Sequence, residues 1–237
     1  MKKILFRNDM SCFGKKMEKY IVFGVGGFLS DIFDIIHANN GKVVKIFQNV
    51  PEVVSDGDIS LKQRLSFLDY SIKVYDSLEE FKPEDGCHYV LGCVSIKKYQ
   101  LVESLKNRHG IKFSQLIHPD AHIGSNVYLG EGVMISPGVI IGPNSNLGDF
   151  CSINRLASIG HDVRIGKYCK IRSCATIGGL CRIGEKTQIN MSASILDKIH
   201  IGNFAVIGAC AFVNKDIPDG VVAHGVPAKI IRKNEDV

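Results

Sequence analysis

The sequence predicts an α/β domain followed by a β-solenoid. Two observations predict this fold class. From Ile117 to Val213 an aliphatic residue recurs at every sixth position without a slip. Before Ile117, apolar runs typical of strands alternate with segments of helical spacing, around a glycine-rich loop at Gly24–Gly27. We therefore divide the chain into an α/β domain over 18–116 and a parallel β-helix over 117–218.

The two ends of the chain fall outside these domains. Residues 1–17 are expected to form a mobile leader, and an over-called start is the alternative, because Met17 stands just before the first predicted strand. They carry no apolar stretch long enough for the core of a signal peptide. Residues 219–237 are expected to form a C-terminal cap and tail. No apolar run approaches the roughly 20 residues of a membrane-spanning helix, which predicts a soluble protein without membrane insertion.

Composition narrows the function classes. The 237 residues are 45% apolar and 22% charged, which excludes a disordered or fibrous protein. The net charge of +5 is mild, so it favours small anionic ligands slightly and does not argue for nucleic acid. Eight cysteines without a CxxC pair favour a reduced, cytoplasmic setting.

In the α/β domain, strands and helices alternate, which indicates a parallel, doubly wound, Rossmann-like sheet. Residues 50–75 stay ambiguous, with a helix over 61–68 as one interpretation. The predicted strands are 20–23, 43–47, 89–93 and 112–116, and the predicted helices are 28–38 and 96–109.

The loop Gly24–Gly27 suits an anion, because its amides and the start of the next helix can face a phosphate. It fails as a dinucleotide fingerprint, since Leu29 stands where the third glycine belongs. Gln48 and Asn49 stand where an acidic residue is expected after the second strand. A nicotinamide dehydrogenase is therefore disfavoured, and a purely structural tight turn remains the alternative.

The six-residue period fits neither a helix nor an alternating strand, but it fits a solenoid with one short strand and one turn per repeat. The chain contains 17 such repeats, and three of them close one coil of 18 residues. The second position is often glycine, which we expect to tolerate the turn backbone. Small or β-branched residues at the fifth position leave room for the stacked aliphatic side chains. This position explains Cys151, Cys169 and Cys181 as core residues, while Cys174 and Cys210 fall one position earlier, in turns.

His161 is the candidate catalytic residue. It is the third residue of its repeat, which places it at a corner of the coil, and imidazole exchanges protons near neutral pH. The adjacent Asp162 could fix its tautomer. Gly179 comes one coil later, about 4.8 Å away, where an open amide could stabilise an oxyanion. His118 and His122 have the spacing of a metal pair but differ in repeat phase, so no metal site is predicted.

Four features together resemble a known family. They are the glycine-rich α/β domain, the junction Leu116–Ala121, the Gly160-His161-Asp162 repeat and the terminal Gly225–Lys229. They are similar to the nucleotide-sugar acyltransferases, namely the N-acetyltransferases of 4-amino sugars (bacillosamine and perosamine type) and the related sialic acid O-acetyltransferases. The resemblance covers about residues 18–231. It implies a left-handed β-helix and a homotrimer with acetyl-CoA between neighbouring prisms.

The resemblance also implies site residues. His161 would be the general base, Asp162 its helper and Asn154 an active-site residue on the substrate side. Around acetyl-CoA it places Gly179, Lys170, Met191, Ala209 and Lys229. Around the sugar nucleotide it places Gly26, Gly27, Phe28, Gln48 and Asn49.

Three departures from the family pattern affect substrate identity. Phe28 stands where the family often has histidine, and Gln48 and Asn49 stand where it often has acidic residues. The nucleotide therefore stays open between UDP, dTDP and GDP. Lys170 stands where the family commonly has a histidine that contacts the acetyl donor.

The hypothesis is direct, acetyl-CoA-dependent N-acetylation of a nucleotide-linked 4-amino sugar in polysaccharide, O-antigen or glycan biosynthesis. One alternative is O-acetylation of a sugar hydroxyl, as in the sialic acid type. The alternative of another class is a non-catalytic β-helix that oligomerises or senses a ligand.

Overall fold

A computed structural model describes residues 17–48, 59–68, 70–93 and 98–235. The expected leader over residues 1–16 lies outside the described residues, and so does the predicted substrate contact Asn49. Among the residues described, no helix is long and apolar enough to cross a lipid bilayer.

The N-terminal domain is a four-stranded parallel sheet with the order β3-β2-β1-β4. Helices and strands alternate along the chain, as the sequence predicts. The strands are β1 (Glu18–Phe23), β2 (Gly41–Phe47), β3 (Lys73–Tyr75) and β4 (Cys87–Leu91), and the helices are α1 (Leu29–Ala38), α2 (Leu61–Ser66) and α3 (Lys98–His109), with a 3₁₀ turn at Leu78–Glu80.

Both faces of this sheet are covered, because alternate residues of a strand point to opposite sides. Tyr20 and Val22 pack against α1 and Leu61 of α2. Ile21 and Phe23 pack on the other side against α3. The Rossmann-like, doubly wound architecture is therefore confirmed.

The predicted final strand over 112–116 is wrong. The segment before Leu116 forms no strand, and it runs between the two domains instead. Phe113 packs edge-on against Phe23 and Phe150, and its amide donates a hydrogen bond to Oε1 of Glu131 at 2.9 Å. Its apolar residues thus serve the domain junction, and Leu116 opens the first rung of the solenoid.

The second domain is a left-handed parallel β-helix of 17 two-residue strands, β5 to β21, which confirms the repeat. Each strand pairs in parallel with the strands 18 residues before and after it, as Ser152 does with Met134 and Lys170. The strands form three faces that the chain visits in turn.

Face 1 consists of β5 (Leu116–Ile117), β8 (Met134–Ile135), β11 (Ser152–Ile153), β14 (Lys170–Ile171), β17 (Gln188–Ile189) and β20 (Val206–Ile207). Face 2 consists of β6 (His122–Ile123), β9 (Ile140–Ile141), β12 (Ser158–Ile159), β15 (Thr176–Ile177), β18 (Ser194–Ile195) and β21 (Phe212–Val213). Face 3 consists of β7 (Tyr128–Leu129), β10 (Asn146–Leu147), β13 (Arg164–Ile165), β16 (Arg182–Ile183) and β19 (His200–Ile201). A hairpin of β22 (Val221–Gly225) and β23 (Ala228–Lys233) extends face 1.

The cysteines lie where the repeat predicts. Cys151, Cys169 and Cys181 are buried in the prism interior, and each thiol donates to a backbone carbonyl. Cys174 and Cys210 are exposed in turns. The interior thiols therefore fill space and satisfy their own polarity inside the core.

The second-position glycines are needed for a different reason from the one expected. Left-handed backbone occurs at the fourth position of the repeats, mostly at residues other than glycine, such as Leu156 and Asp162, which both have φ 58°. At the second position the constraint is space between coils. A Cβ on Gly160 would lie 2.6 Å from the amide nitrogen of Gly179 in the next coil.

The N-terminal domain covers face 1, so its outward side chains Met134, Ser152 and Lys170 are buried. The domains are joined by an ion pair between Arg155 and Asp31 of α1. The outward side chains of faces 2 and 3 are mostly exposed or half-buried. Face 1 and the turns on either side of it therefore form the junction between the domains.

Candidate active site

The corner between faces 2 and 3 carries the predicted catalytic pair. We call His161, Asp162 and Gly179 the His161 corner. Nδ1 of His161 lies 2.7 Å from Oδ2 of Asp162, and the histidine side chain is 59% exposed. Asp162 adopts left-handed backbone, and its amide donates to the carbonyl of Pro143 at 2.9 Å. The turn thus fixes the carboxylate that orients the imidazole.

The other edge of the imidazole lies against Gly179. A Cβ on Gly179 would lie 2.7 Å from Nε2 of His161, which is closer than real contacts of this kind. Glycine at 179 therefore makes room for the ring. When the Nδ1 proton is donated to Asp162, Nε2 is left with the lone pair that a general base needs.

The expected open amide at Gly179 is wrong. The Gly179 amide donates to Oδ1 of Asp197, one coil further on, at 2.7 Å. The same contact recurs where Asp149 accepts from the amide of Glu131 and Asn203 from that of Glu185. Each of these amides is followed, 18 residues later, by an Asp or Asn at the third position of its repeat. That Asp or Asn is the sequence signal that identifies a capped amide.

A second polar site lies at the junction of the two domains. We call it the Lys170 pocket. Polar side chains of the β-helix line it together with Phe28 of the N-terminal domain, and two apolar residues complete its walls. The polar residues are Ser152, Asn154, Lys170 and Arg172, and the apolar ones are Met134 and Ile153. The side-chain carbonyl of Asn154 accepts from the amide of Arg155 at 2.7 Å. Asn154 and Lys170 are therefore brought together with Phe28, as a set of predicted site residues from both domains.

Lys170 is only 8% exposed. Burial and, to a lesser degree, the nearby positive charges of Lys98 and Arg172 together lower its pKa to about 8. Within the described parts of the chain, no hydrogen bond or ion pair reaches its ammonium group.

Within one chain, the Lys170 pocket is separate from the His161 corner. Lys170 lies on face 1, and face 1 is opposite the corner between faces 2 and 3. Met191 and Ala209 follow strands of face 1, so they lie at the corner between faces 1 and 2. Met191 and Ala209 therefore lie at one edge of face 2 and His161 at the other. Of the other predicted acetyl-CoA residues, Gly179 lies beside His161, Lys170 lies on face 1, and Lys229 is exposed on β23.

The predicted nucleotide residues lie at the carboxyl edge of the N-terminal sheet. Gly24, Gln48 and Gly92 follow β1, β2 and β4, whose carboxyl ends meet there. A Cβ on Gly27 would meet nothing within 4 Å, so the loop leaves open space. No side chain caps the start of α1 at Phe28. This crevice can accept an anion at the helix N-terminus.

One polar residue of this crevice was missed by the sequence analysis. Asp76 follows β3, and its Oδ1 accepts from Nε2 of Gln48 at 2.9 Å. The carboxylate expected near the end of β2 is thus supplied by the neighbouring strand. The sequence analysis did not predict β3, because the periodicity of residues 50–75 is ambiguous. Without β3, Asp76 could not be placed at this edge of the sheet.

His118, one of the predicted metal-spaced histidines, makes a local contact. Nδ1 of His118 accepts from the amide of Asp120 at 3.0 Å, which is a turn contact. Across the residues the structure describes, no group of three or more His, Cys, Asp or Glu side chains is placed to hold a metal ion.

Comparison with known proteins matches the repeat to a family. Residues 120–155 and 144–179 match the family described as bacterial transferase hexapeptide (six repeats). A serine acetyltransferase from Buchnera aphidicola subsp. Schizaphis graminum is 33% identical over an alignment of 211 residues, and the match covers 86% of this chain and 70% of the relative.

Two solved structures are similar over nearly the whole chain. PerB from Caulobacter crescentus, solved in complex with CoA and GDP-perosamine, is 26% identical with a TM-score of 0.75, and the match covers 91% of this chain and 98% of PerB. The acetyltransferase domain of PglB from Neisseria gonorrhoeae FA1090, solved in complex with acetyl coenzyme A, is 23% identical with a TM-score of 0.76. That match covers 91% of this chain and 100% of the domain, and it shows a shared fold.

Proposed function

The chain is an acetyl-CoA-dependent acyltransferase of the hexapeptide-repeat family, and from that premise we propose that its acceptor is the amino group of a nucleotide-linked 4-amino sugar. The observation that carries the proposal is the His161 corner. An exposed imidazole is hydrogen-bonded to Asp162 on one side and has an accessible nitrogen above Gly179 on the other. Family membership favours this enzymatic hypothesis over a ligand-sensing module.

The proposed reaction is direct transfer. The acceptor amine attacks the thioester carbonyl of acetyl-CoA while Nε2 of His161 accepts the amine proton. Asp162 stabilises the imidazolium through the 2.7 Å contact with Nδ1. When the tetrahedral intermediate collapses, the carbon–sulfur bond breaks and the imidazolium returns the proton to the departing thiolate. The products are the N-acetyl sugar and CoA.

The proposed acceptor is supported by the N-terminal domain. Its open crevice at the carboxyl ends of β1, β2 and β4 combines an uncapped helix start with hydrogen-bonding groups from Gln48 and Asp76. Such a crevice suits a nucleotide, with its phosphates at the helix and its ribose or base at the polar side chains. PerB, which is similar over both domains, was solved with GDP-perosamine.

A homotrimer with acetyl-CoA between neighbouring prisms is part of the proposal. The proposed CoA contacts Met191 and Ala209 lie at one edge of face 2, and His161 lies at the other. If the Met191 edge of one copy packs against the His161 edge of the next copy, the proposed CoA contacts of the first lie beside the proposed base of the second. The expected solution mass is three times the chain mass of 26.0 kDa, measurable by light scattering. A monomer with full activity would overturn this assembly.

The acceptor is tested by measuring thiol release from acetyl-CoA with a panel of nucleotide-linked sugars. Each 4-amino sugar is paired with its 4-hydroxyl counterpart on UDP, dTDP and GDP. We expect turnover with an amino sugar on one nucleotide and at least 100-fold less with the matched hydroxyl sugar. Acetylation of hydroxyl sugars alone would overturn the proposal.

O-acetylation remains the second candidate, and one observation favours it. The 33% identical relative is a serine acetyltransferase, so the same fold and repeat occur in an enzyme named for a hydroxyl-bearing acceptor. The same panel, extended with free sialic acid and serine, separates the candidates by which acceptor gives product.

A further inference from the structure

Among the described residues, no acidic group pairs with the ammonium group of Lys170. The residue is only 8% exposed, and no described acceptor reaches the ammonium. Removing an unpaired charge from water is unfavourable, so proteins normally pair such groups. The missing partner therefore points to a ligand.

The described groups that face Lys170 include no carboxylate. They are Lys98 of α3, Arg172 at the end of the same rung and the Cys93 thiol that follows β4. Lys98 already donates to the carbonyl of Phe150 at 2.5 Å, and Arg172 has no ion-pair partner in the described parts of the chain. Among the residues described, the pocket is thus lined by two cations, Lys170 and Arg172, and by no carboxylate.

The pocket also lies beside the nucleotide crevice. Phe28, which forms one wall, is the residue at the start of α1, where no side chain caps the helix amides. The Lys170 pocket has a volume of about 10 Å³, which admits one water-sized group and so corresponds to a single ligand oxygen. A ligand held at the start of α1 can therefore extend one oxygen towards Lys170.

We propose that Lys170 binds an anionic oxygen of the acyl acceptor and so connects the acceptor in the N-terminal domain to the β-helix. This inference rests on the proposed function, because it takes the crevice as the acceptor site. The ligand chemistry is an oxyanion, which either the nucleotide diphosphate or a carboxylate on the sugar would supply. Arg172 at the pocket wall adds positive charge to the same subsite.

The test measures binding of defined anions by calorimetry, without acetyl-CoA. The probes are UDP, dTDP, GDP and the same nucleotides linked to a uronic acid. The proteins are the wild type, Lys170→Met, Lys170→Arg and Lys167→Met, an exposed lysine of the same coil that serves as the matched control. His161→Ala is included because it should lose acetyl transfer and keep anion binding.

We expect Lys170→Met to bind at least tenfold more weakly, Lys170→Arg to stay within threefold of the wild type, and Lys167→Met to be unchanged. A loss already seen with the diphosphates assigns the oxygen to phosphate, and a loss seen only with the uronic acid assigns it to the carboxylate. The Tm of Lys170→Met should rise, because the unpaired charge is gone. A merely structural lysine would instead lower the Tm.

The proposal is overturned if Lys170→Met binds every probe as the wild type does, if the wild type binds none of them, or if affinity falls together with Tm. Failure of the proposed function gives a different pattern. In that case no amino sugar is acetylated, while anion binding still depends on Lys170.

Discussion

The His161 corner and the Lys170 pocket lie on the same prism but differ in how their polar groups are paired. At the corner, an exposed imidazole already has its carboxylate, and the neighbouring amide of Gly179 is capped by Asp197. In the pocket, a buried ammonium has no acceptor among the residues described. The corner is thus organised before any ligand arrives, whereas the pocket carries an unfavourable charge until one does.

The difference has a structural cause. At the corner, His161 and Asp162 are adjacent in one turn, and Gly179 lies in the next coil of the same prism, so the β-helix alone fixes their geometry. The pocket forms only where the N-terminal domain covers face 1, and that cover removes Lys170 from water. Substitutions at the corner should therefore affect activity with little effect on stability, and substitutions in the pocket should affect both.

The largest expected effect is at the base itself. His161→Ala removes the proposed proton acceptor and should lower kcat by roughly 10²- to 10⁴-fold, the usual contribution of a general base. His200→Ala, an exposed histidine on face 3, is the matched control and should retain full activity. The measurement is thiol release at saturating acetyl-CoA. Equal activity of His161→Ala and the wild type would remove this residue from the mechanism.

Gly179→Ala tests the space under the imidazole. The three atoms nearest to the new Cβ all belong to the ring of His161, a movable side chain, so the fold should persist while the base is displaced. We expect about a 100-fold loss of kcat with the Tm nearly unchanged, since small displacements of catalytic groups are costly.

Gly160→Ala is the opposite case and serves as its control. Its Cβ would lie 2.6 Å from the backbone of the next coil, so it should destabilise the β-helix by about 1–3 kcal/mol. Thermal unfolding and kcat together distinguish the two variants. A Gly179→Ala protein that is fully active would show that the ring does not need its present position.

Asp162→Asn tests the orienting carboxylate. Asparagine tolerates left-handed backbone, so the turn at φ 58° should be kept. The amide oxygen can still accept from Nδ1, but the negative charge that stabilises the imidazolium is gone. We expect about a tenfold loss of kcat with little change in KM for acetyl-CoA, from steady-state kinetics. A loss confined to KM would place Asp162 in binding instead.

The sequence predicts the solenoid well because its signal is simple and local. Inward positions recur every six residues, and each must be aliphatic or small, so the 17 strands and the buried cysteines follow directly. The corner location of His161 follows from the same phase. Its pairing with Asp162 follows from adjacency, since the two residues share one turn.

Features that depend on contacts between distant segments were harder to predict than the solenoid. The segment 112–116 has a strand-like composition and lies beside the edge strand β4, where the Ser114 amide donates to the carbonyl of Tyr89 at 2.9 Å. No strand continues from this contact, and the neighbouring Phe113 amide donates to Glu131 of the β-helix instead. The repeat places Lys170 on face 1, but only the packed domains show that this face is covered. The capping of the Gly179 amide depends on Asp197 in the next coil, and it was readable only by comparing third positions along a whole edge.

The smallest expected effect concerns how the pocket's charge alters stability with pH. The pKa of Lys170 is lowered from 10.5 to about 8 in the folded chain, so between these values the unfolded chain binds more protons. The free energy of unfolding should therefore rise with pH across this window. Lys170→Met removes the cost of the buried charge and should be more stable than the wild type by about 1–3 kcal/mol at pH 7. The difference should shrink towards pH 10.5, measured by urea unfolding at several pH values. A difference that stays constant with pH would mean that the substitution acts through packing, and that Lys170 is not the unpaired charge of this site.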